Sequence, residues 1–164
     1  MSADENEIAL RPAVIGDLEM VFRWRNDPFI LSHGSSHREV GWEEHLKWFG
    51  ETVSNESRRI FIVLEHGNPI GQIRFERINE RDCVVSVYLV QEFTGRGYGL
   101  RAIRMGCAAI FSTSDVERVV ACIRRDNPAS RSAFLKAGFR ETEALSLCPG
   151  DHYSLILSRG TQLE

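Results

Sequence analysis

The stretch TGRGYG, residues 94–99, constrains this chain more than any other. It stands at the end of the apolar run VVSVYLV and opens a helical pattern with Leu100, Ile103, Cys107 and Ile110 on one side. Glycines at alternate positions between a strand and a helix make either a plain tight turn or a cradle for an anion. A cradle has physical backing. Glycine lets backbone come close to a phosphate, the first-turn amides of a helix lack intrahelical acceptors, and the helix dipole attracts negative charge. Arg96 adds a cation. The dinucleotide fingerprint GxGxxG is not met, because Leu100 stands where its last glycine belongs. Nor is a Walker A loop, since no lysine followed by Ser or Thr completes it.

Around this loop, strand and helix patterns alternate. Residues 8–14 read as a first strand, and Asp17 caps a helix with Leu18, Val21 and Phe22 on one face, stopped by Asn26-Asp27-Pro28. A second helix begins near Trp42, where Trp42, His45, Leu46 and Phe49 recur at i, i+3, i+4 and i+7. RRIFIVLEHG and NPIGQIRFERI read as two strands around a Gly-Asn-Pro turn, and DCVVSVYLV as a third. After the helix that starts near Tyr98 comes the strand RVVACIRR. A helix capped by Asn127 follows, with Pro128 at its first position and Gly138 just past its end, and the strands FRETEAL and HYSLILS close the chain. The order is βααβββαβαββ, with no repeat and no linker, so residues 1–164 read as one domain.

Composition narrows the function classes. A net charge of −3 gives no electrostatic case for nucleic acid. No apolar run is long enough to cross a bilayer, and MSADENEIAL lacks the basic start of a signal peptide. Cys83, Cys107, Cys122 and Cys148 form no CxxC pair and three lie in apolar runs, so free buried thiols in a reducing cytosol are expected rather than disulfides or a metal site. A soluble cytoplasmic protein is the expectation.

A second stretch, RRDNPASRSAFLKAGF, completes a pattern. With a fourth strand running into TGRGYG, then a helix, a fifth strand, N-x-x-S and K-A-G-F, the chain resembles the GCN5-related N-acetyltransferase (GNAT) family over nearly its whole length. The resemblance implies an α+β fold with a central mixed, mostly antiparallel sheet flanked by helices. It implies acetyl-CoA as co-substrate and no metal. Gly95, Arg96, Gly97, Tyr98 and Gly99 would cradle the pyrophosphate, the strand edge around Leu89 and Val90 would bond the pantetheine arm, and Asn127 would contact that arm from the other side. Two positions depart from the family pattern. Thr94 stands where Arg or Gln is usual, and Phe134, which has no proton to give, stands where many members carry a tyrosine acid. Tyr98, Ser130, Ser132 or water are then the candidate acids.

Direct acetyl transfer needs a neutral amine and a polarised thioester carbonyl, and no covalent enzyme intermediate. The chain shows no Cys-His or Ser-His-Asp arrangement. The acceptor region is expected between the first two helices, in VFRWRNDPFILSHGSSHREVGWEEHLKWF. Its W-R-N-D-P and W-E-E-H-L-K-W-F runs resemble the subgroup that acetylates the 4-amino group of nucleotide-linked amino-dideoxy sugars, as in pseudaminic acid biosynthesis. Arg25, Asn26, His45 and Trp48 are the candidate acceptor residues. His45 is the candidate to orient the amine or relay its proton, in company with His33 and His37. Trp42 and Phe49 read as core with Leu46, Glu43-Glu44 as a solvated first turn, and Arg74 and Glu76 as an outward face, with lining of the acceptor cleft as the alternative. A peptide N-terminus as acceptor, or a non-catalytic acyl-CoA-binding module, stays open at this point, as does a homodimer.

Overall fold

The computed structural model describes residues 7–34, 38–143 and 147–161. Within them a seven-stranded sheet is flanked by helices: β1 (Ile8–Pro12), α1 (Leu18–Arg25), α2 (Pro28–His33), α3 (Trp42–Val53), β2 (Arg58–Glu65), β3 (Asn68–Arg77), β4 (Asp82–Leu89), α4 (Tyr98–Thr113), β5 (Arg118–Arg124), α5 (Pro128–Lys136), β6 (Arg140–Glu141) and β7 (His152–Ser158). The spatial order is β1-β2-β3-β4-β5-β7-β6. Every pairing is antiparallel except β4 with β5.

The sheet buries both faces, and the alternation of side chains says which residue goes where. Phe61, Val63, Ile73, Phe75, Val85 and Leu89 meet Ala102, Ile103, Cys107 and Ile110 of α4 in the larger core. Gly106 lets that helix sit close, since a Cβ there would come within 2.9 Å of the Ile73 side chain. On the other face Ile60 and Ile62 pack under Val21 of α1 and Phe49 of α3. Full burial of a side chain such as Phe49 contributes about 1.5–3 kcal/mol. Because α1 and α3 cover β2, the polar strip of the same face on β3 and β4 (Gln72, Arg74, Ser86, Tyr88) lies beside them rather than beneath a third helix.

Several expectations are corrected. Asn26-Asp27-Pro28 ends one helix and starts another. The Asp27 carboxylate accepts from the amides of Phe29 and Ile30, and Pro28 takes the first helical position, so the stop signal doubles as the cap of α2. The β2–β3 turn is His66-Gly67, both at positive φ, rather than Gly-Asn-Pro. Trp42 and Leu46 are 38% and 39% exposed, whereas His45, Phe49 and Thr52 form the buried stripe of α3. The four-thiol expectation fails as well: Cys122 and Cys148 form a disulfide, leaving Cys83 and Cys107 as buried thiols. Spacing along a chain does not show that the strand carrying Cys122 and the turn before β7 meet. The expected FRETEAL strand is seen as Arg140–Glu141, and its residues 144 and 145 lie outside the described residues, as does His37. Among the described residues no helix is long and apolar enough to cross a membrane, and no cluster of His, Cys, Asp and Glu could hold a metal.

Candidate functional site

β4 and β5 stay paired only from Asp82 to Val85, against Arg118 to Ala121. Beyond Val85 β4 keeps β3 as neighbour and parts from β5. Val90 donates its N–H to Ile70 and accepts from Phe93, so its backbone is occupied. This corrects Val90 as a ligand contact. Alternation then turns the N–H and C=O of Val87 and Leu89 toward the open side. The gap holds a cavity of 90 Å³, whose lining includes His33, Ser86, Cys122, Asn127, Ser130 and Phe134. A larger hollow of 750 Å³ lies at the far end of the sheet, by Arg58, Arg77 and Asp115, away from every motif singled out above.

The glycine loop follows β4 after a short turn at Gln91–Phe93. Gly95 and Gly97 sit at φ +75° and +82°, the left-handed region that favours glycine. Gly97 precedes α4 with no side-chain cap, so the amides of Tyr98, Gly99 and Leu100 have no intrahelical acceptor. A Cβ at Gly95, Gly97 or Gly99 would meet nothing within 4 Å, so the space before these amides is open. The loop therefore fits an anion. Arg96 lies over the Phe93 ring at 5.5 Å, and Thr94 closes a short turn by donating to the Gln91 carbonyl at 2.6 Å. Tyr98 is corrected as a proton donor. Its ring is buried and its hydroxyl bonds Glu65 and Arg96, which raises its pKa chiefly through Glu65. Glu65 lies on β2, two strands from the gap.

On the far bank, Asn127 caps α5 by accepting from the Ser130 amide at 3.2 Å. Its amide also reaches the His33 carbonyl, and Arg124 reaches the carbonyls of Ser32 and Gly34, so the end of α2 is tied over the gap. Phe134 packs edge-on to Phe139, with ring centres 5.0 Å apart.

Across the sheet face lies the group expected to take the acceptor, with two members differently employed. His45 is sealed at 0% exposure. Its Nε2 donates to the Leu18 carbonyl at 2.8 Å, and its Nδ1 accepts from Arg25 at 3.2 Å. With both nitrogens occupied it cannot exchange a proton with a ligand. Asn26 pins the chain through Val40, accepting from its amide at 2.7 Å and donating to its carbonyl at 2.8 Å. Neither points at an acceptor. Arg25 and Trp48 do come together: the guanidinium lies 4.2 Å from the ring centre. Two more residues join them, Arg74 and the unforeseen Tyr88. Arg74 lies over the same ring at 5.2 Å, half-buried rather than on an open face, and Tyr88 lies edge-on to Trp24. Alternation along β3 placed Arg74 on this face, but only the packing of α3 shows that Trp48 covers it. His33 was named only as company for His45, because α2 was not foreseen.

Residues 7–140 match the model of the acetyltransferase (GNAT) domain. The chain belongs to the GNAT acetyltransferase family. It is similar to acetyltransferase PseH of Campylobacter jejuni, 27% identical over 81 residues, 49% of this chain and 51% of the relative. That match thus spans about half the length of the relative. The GNAT fold is shared with spermidine N-acetyltransferase from Vibrio cholerae, solved with CoA and spermine (TM-score 0.81, 19% identity, 92% of this chain and 95% of that one). It is shared equally with AAC(6')-Ib, solved with ribostamycin and coenzyme A (TM-score 0.81, 17% identity, 93% and 94% covered). In this GNAT domain the parted strands border a cavity, and the open glycine loop follows further along the same chain.

Proposed function

We propose that this domain transfers the acetyl group of acetyl-CoA to an amine on a small molecule, the 4-amino group of a nucleotide-linked amino-dideoxy sugar. One observation carries the acetyl-transfer reading: β4 leaves β5 after Val85 and is followed, past a short turn at Gln91–Phe93, by the glycine loop and the uncapped start of α4. The amides of residues 98–100 would hold the pyrophosphate, and the backbone of Val87 and Leu89 the pantetheine arm. Asn127, Ser130 and Phe134 would wall the acetyl end. Bound acetyl-CoA supplies an activated thioester, so no enzyme nucleophile is needed.

The proton-handling groups on this reading are Ser130 and His33, both lining the cavity. The Ser130 hydroxyl is the donor on α5 nearest in sequence to the cap, in place of the acid that Phe134 does not provide. His33 takes the base role expected of His45. Its Nδ1 lies 2.9 Å from the Phe29 carbonyl, which only accepts. The Ser32 hydroxyl lies at the same 2.9 Å from Nδ1, and in the tautomer with the proton on Nδ1 the Nε2 lone pair would remove a proton from the ammonium.

The acceptor class rests on the aromatic and arginine-bearing face formed by the WRNDP and WEEHLKWF runs, which suits a deoxysugar's apolar faces and a nucleotide's oxygens. A polyamine, the acceptor named for the Vibrio relative, is the competing small molecule. Thiol release from acetyl-CoA is the test, with a UDP-4-amino-4,6-dideoxy sugar, spermidine, an aminoglycoside and an N-terminal peptide as acceptors. Turnover with the sugar nucleotide far above the rest is expected. CoA binding without turnover on any amine would make this an acyl-CoA-binding module, and preference for peptide or spermidine would overturn the acceptor.

A further inference from the structure

Arg25 and Arg74 lie 4.2 and 5.2 Å from the centre of one indole ring, that of Trp48. Two cations held so close normally share a carboxylate, and among the described residues neither forms an ion pair. The carboxylates that act on them are engaged elsewhere: Glu44 with Arg38 at 2.6 Å, and Glu76 with Arg58 at 3.2 Å. The Tyr88 hydroxyl, close enough to feel both guanidinium charges, is buried without a hydrogen-bond partner among the described residues. Buried polar groups are almost always bonded, so a polar cluster left this incomplete points to a missing ligand. We infer that Arg25 and Arg74 form a clamp for the phosphate groups of the acceptor. This inference rests on the acetyl-transfer reading and deepens it.

The placement suits that role. Arg74 is the cross-strand partner of Ser86, which lines the cavity between β4 and β5, so the clamp stands about one strand spacing from the reacting end. An acceptor gripped here by its phosphates would extend its amine toward the gap. Trp48 lies against both guanidiniums, and His45 holds Arg25 through Nδ1. Planar guanidiniums recognise phosphate oxygens in pairs, which lysines do not. The same two charges repel a polyamine.

The test is calorimetric titration of UDP and of inorganic pyrophosphate into the CoA-saturated protein, so that the glycine loop is already filled. Both should bind. Arg74→Gln and Arg25→Gln should each weaken UDP by at least about tenfold, the size expected for hydrogen bonds to a charged group. Arg74→Lys should weaken it less, and CoA affinity should not change in any variant. Circular dichroism and thermal melting establish that each variant is folded, and Arg74→Lys supplies a milder change should Arg74→Gln fail to fold. Wild-type protein that ignores UDP and pyrophosphate, an Arg74→Gln protein that binds UDP undiminished, or tighter binding of a peptide carboxylate than of UDP would overturn the clamp. Failure of CoA itself to bind would instead overturn the acetyl-transfer reading, and the dependence of UDP binding on Arg74 would still decide the clamp.

Discussion

Nη1 of Arg25 lies 3.2 Å from Nδ1 of His45. An arginine never accepts, so Nδ1 must carry the lone pair and the proton must sit on Nε2, where the Leu18 carbonyl takes it at 2.8 Å. The contact that looked like catalytic company is a positioning device. His45 faces the arginine that faces the open side.

This fixes a pH dependence. The pKa of His45 is lowered, first by burial and further by Arg25, against the opposing bond to Leu18. The unfolded chain therefore takes up the proton at higher pH than the folded one. Stability should be steady above the ordinary histidine value of about 6.5 and fall as pH drops below it. Denaturant midpoints between pH 5 and 8 should show this slope in the wild type and less of it in His45→Gln, which can still donate to Leu18 and accept from Arg25. His45→Ala should cost about 2–4 kcal/mol, since it leaves a cavity and two unpaired groups. A His45→Ala protein of wild-type stability would contradict the buried, doubly bonded ring.

For the glycine loop, Gly99 gives a cleaner test than Gly97. Gly97 sits at φ +82°, so any side chain there strains the turn itself. Gly99 is helical, with open space where its Cβ would project. Gly99→Val should fold normally and lose CoA affinity by at least about tenfold, equivalent to 1.4 kcal/mol. Unaltered CoA affinity in the folded variant would place the pyrophosphate elsewhere.

Ser130 and Phe134 make a paired prediction. If the Ser130 hydroxyl protonates the leaving thiolate, Ser130→Ala should lower kcat by about 100-fold, or 2.7 kcal/mol of barrier, with CoA affinity retained. Phe134 borders the same cavity, so Phe134→Tyr in the Ser130→Ala background should return part of that rate. A Ser130→Ala enzyme at full speed would leave water as the acid.

The sequence exposed whatever depends on local chemistry and hid whatever depends on distant packing. Asn127, Pro128 and the glycine loop were readable because a cap, a first helical position and a positive φ each demand a residue type at one place. Arg25 was singled out, but its partners were not, since His45 is twenty residues away and Arg74 lies on another element. Helical spacing put Trp42, His45, Leu46 and Phe49 on one stripe, yet only His45 and Phe49 are buried. The stripe gives a face and not its width. α2 escaped notice because a proline after a polar pair was read as an end alone.

The disulfide gives the last prediction, and it also removes the argument for a reducing compartment that rested on four free thiols. Cys122 lies on β5 beside the cavity, and Cys148 lies 26 residues further on, in the turn before β7. Closing a loop of that length restricts the unfolded chain by about 3–4 kcal/mol in the chain-entropy account. Reduction, or Cys148→Ser, should lower stability by an amount of that order. The remaining thiols should stay silent toward a thiol reagent in the folded state. Cys83 is buried, with its pKa pushed up to about 12 by that burial, and Cys107 is buried more deeply. Titration of native, unreduced protein should therefore give almost no fast-reacting thiol, and mild reduction should expose two. Two fast-reacting thiols before any reductant is added would mean that Cys122 and Cys148 are not joined.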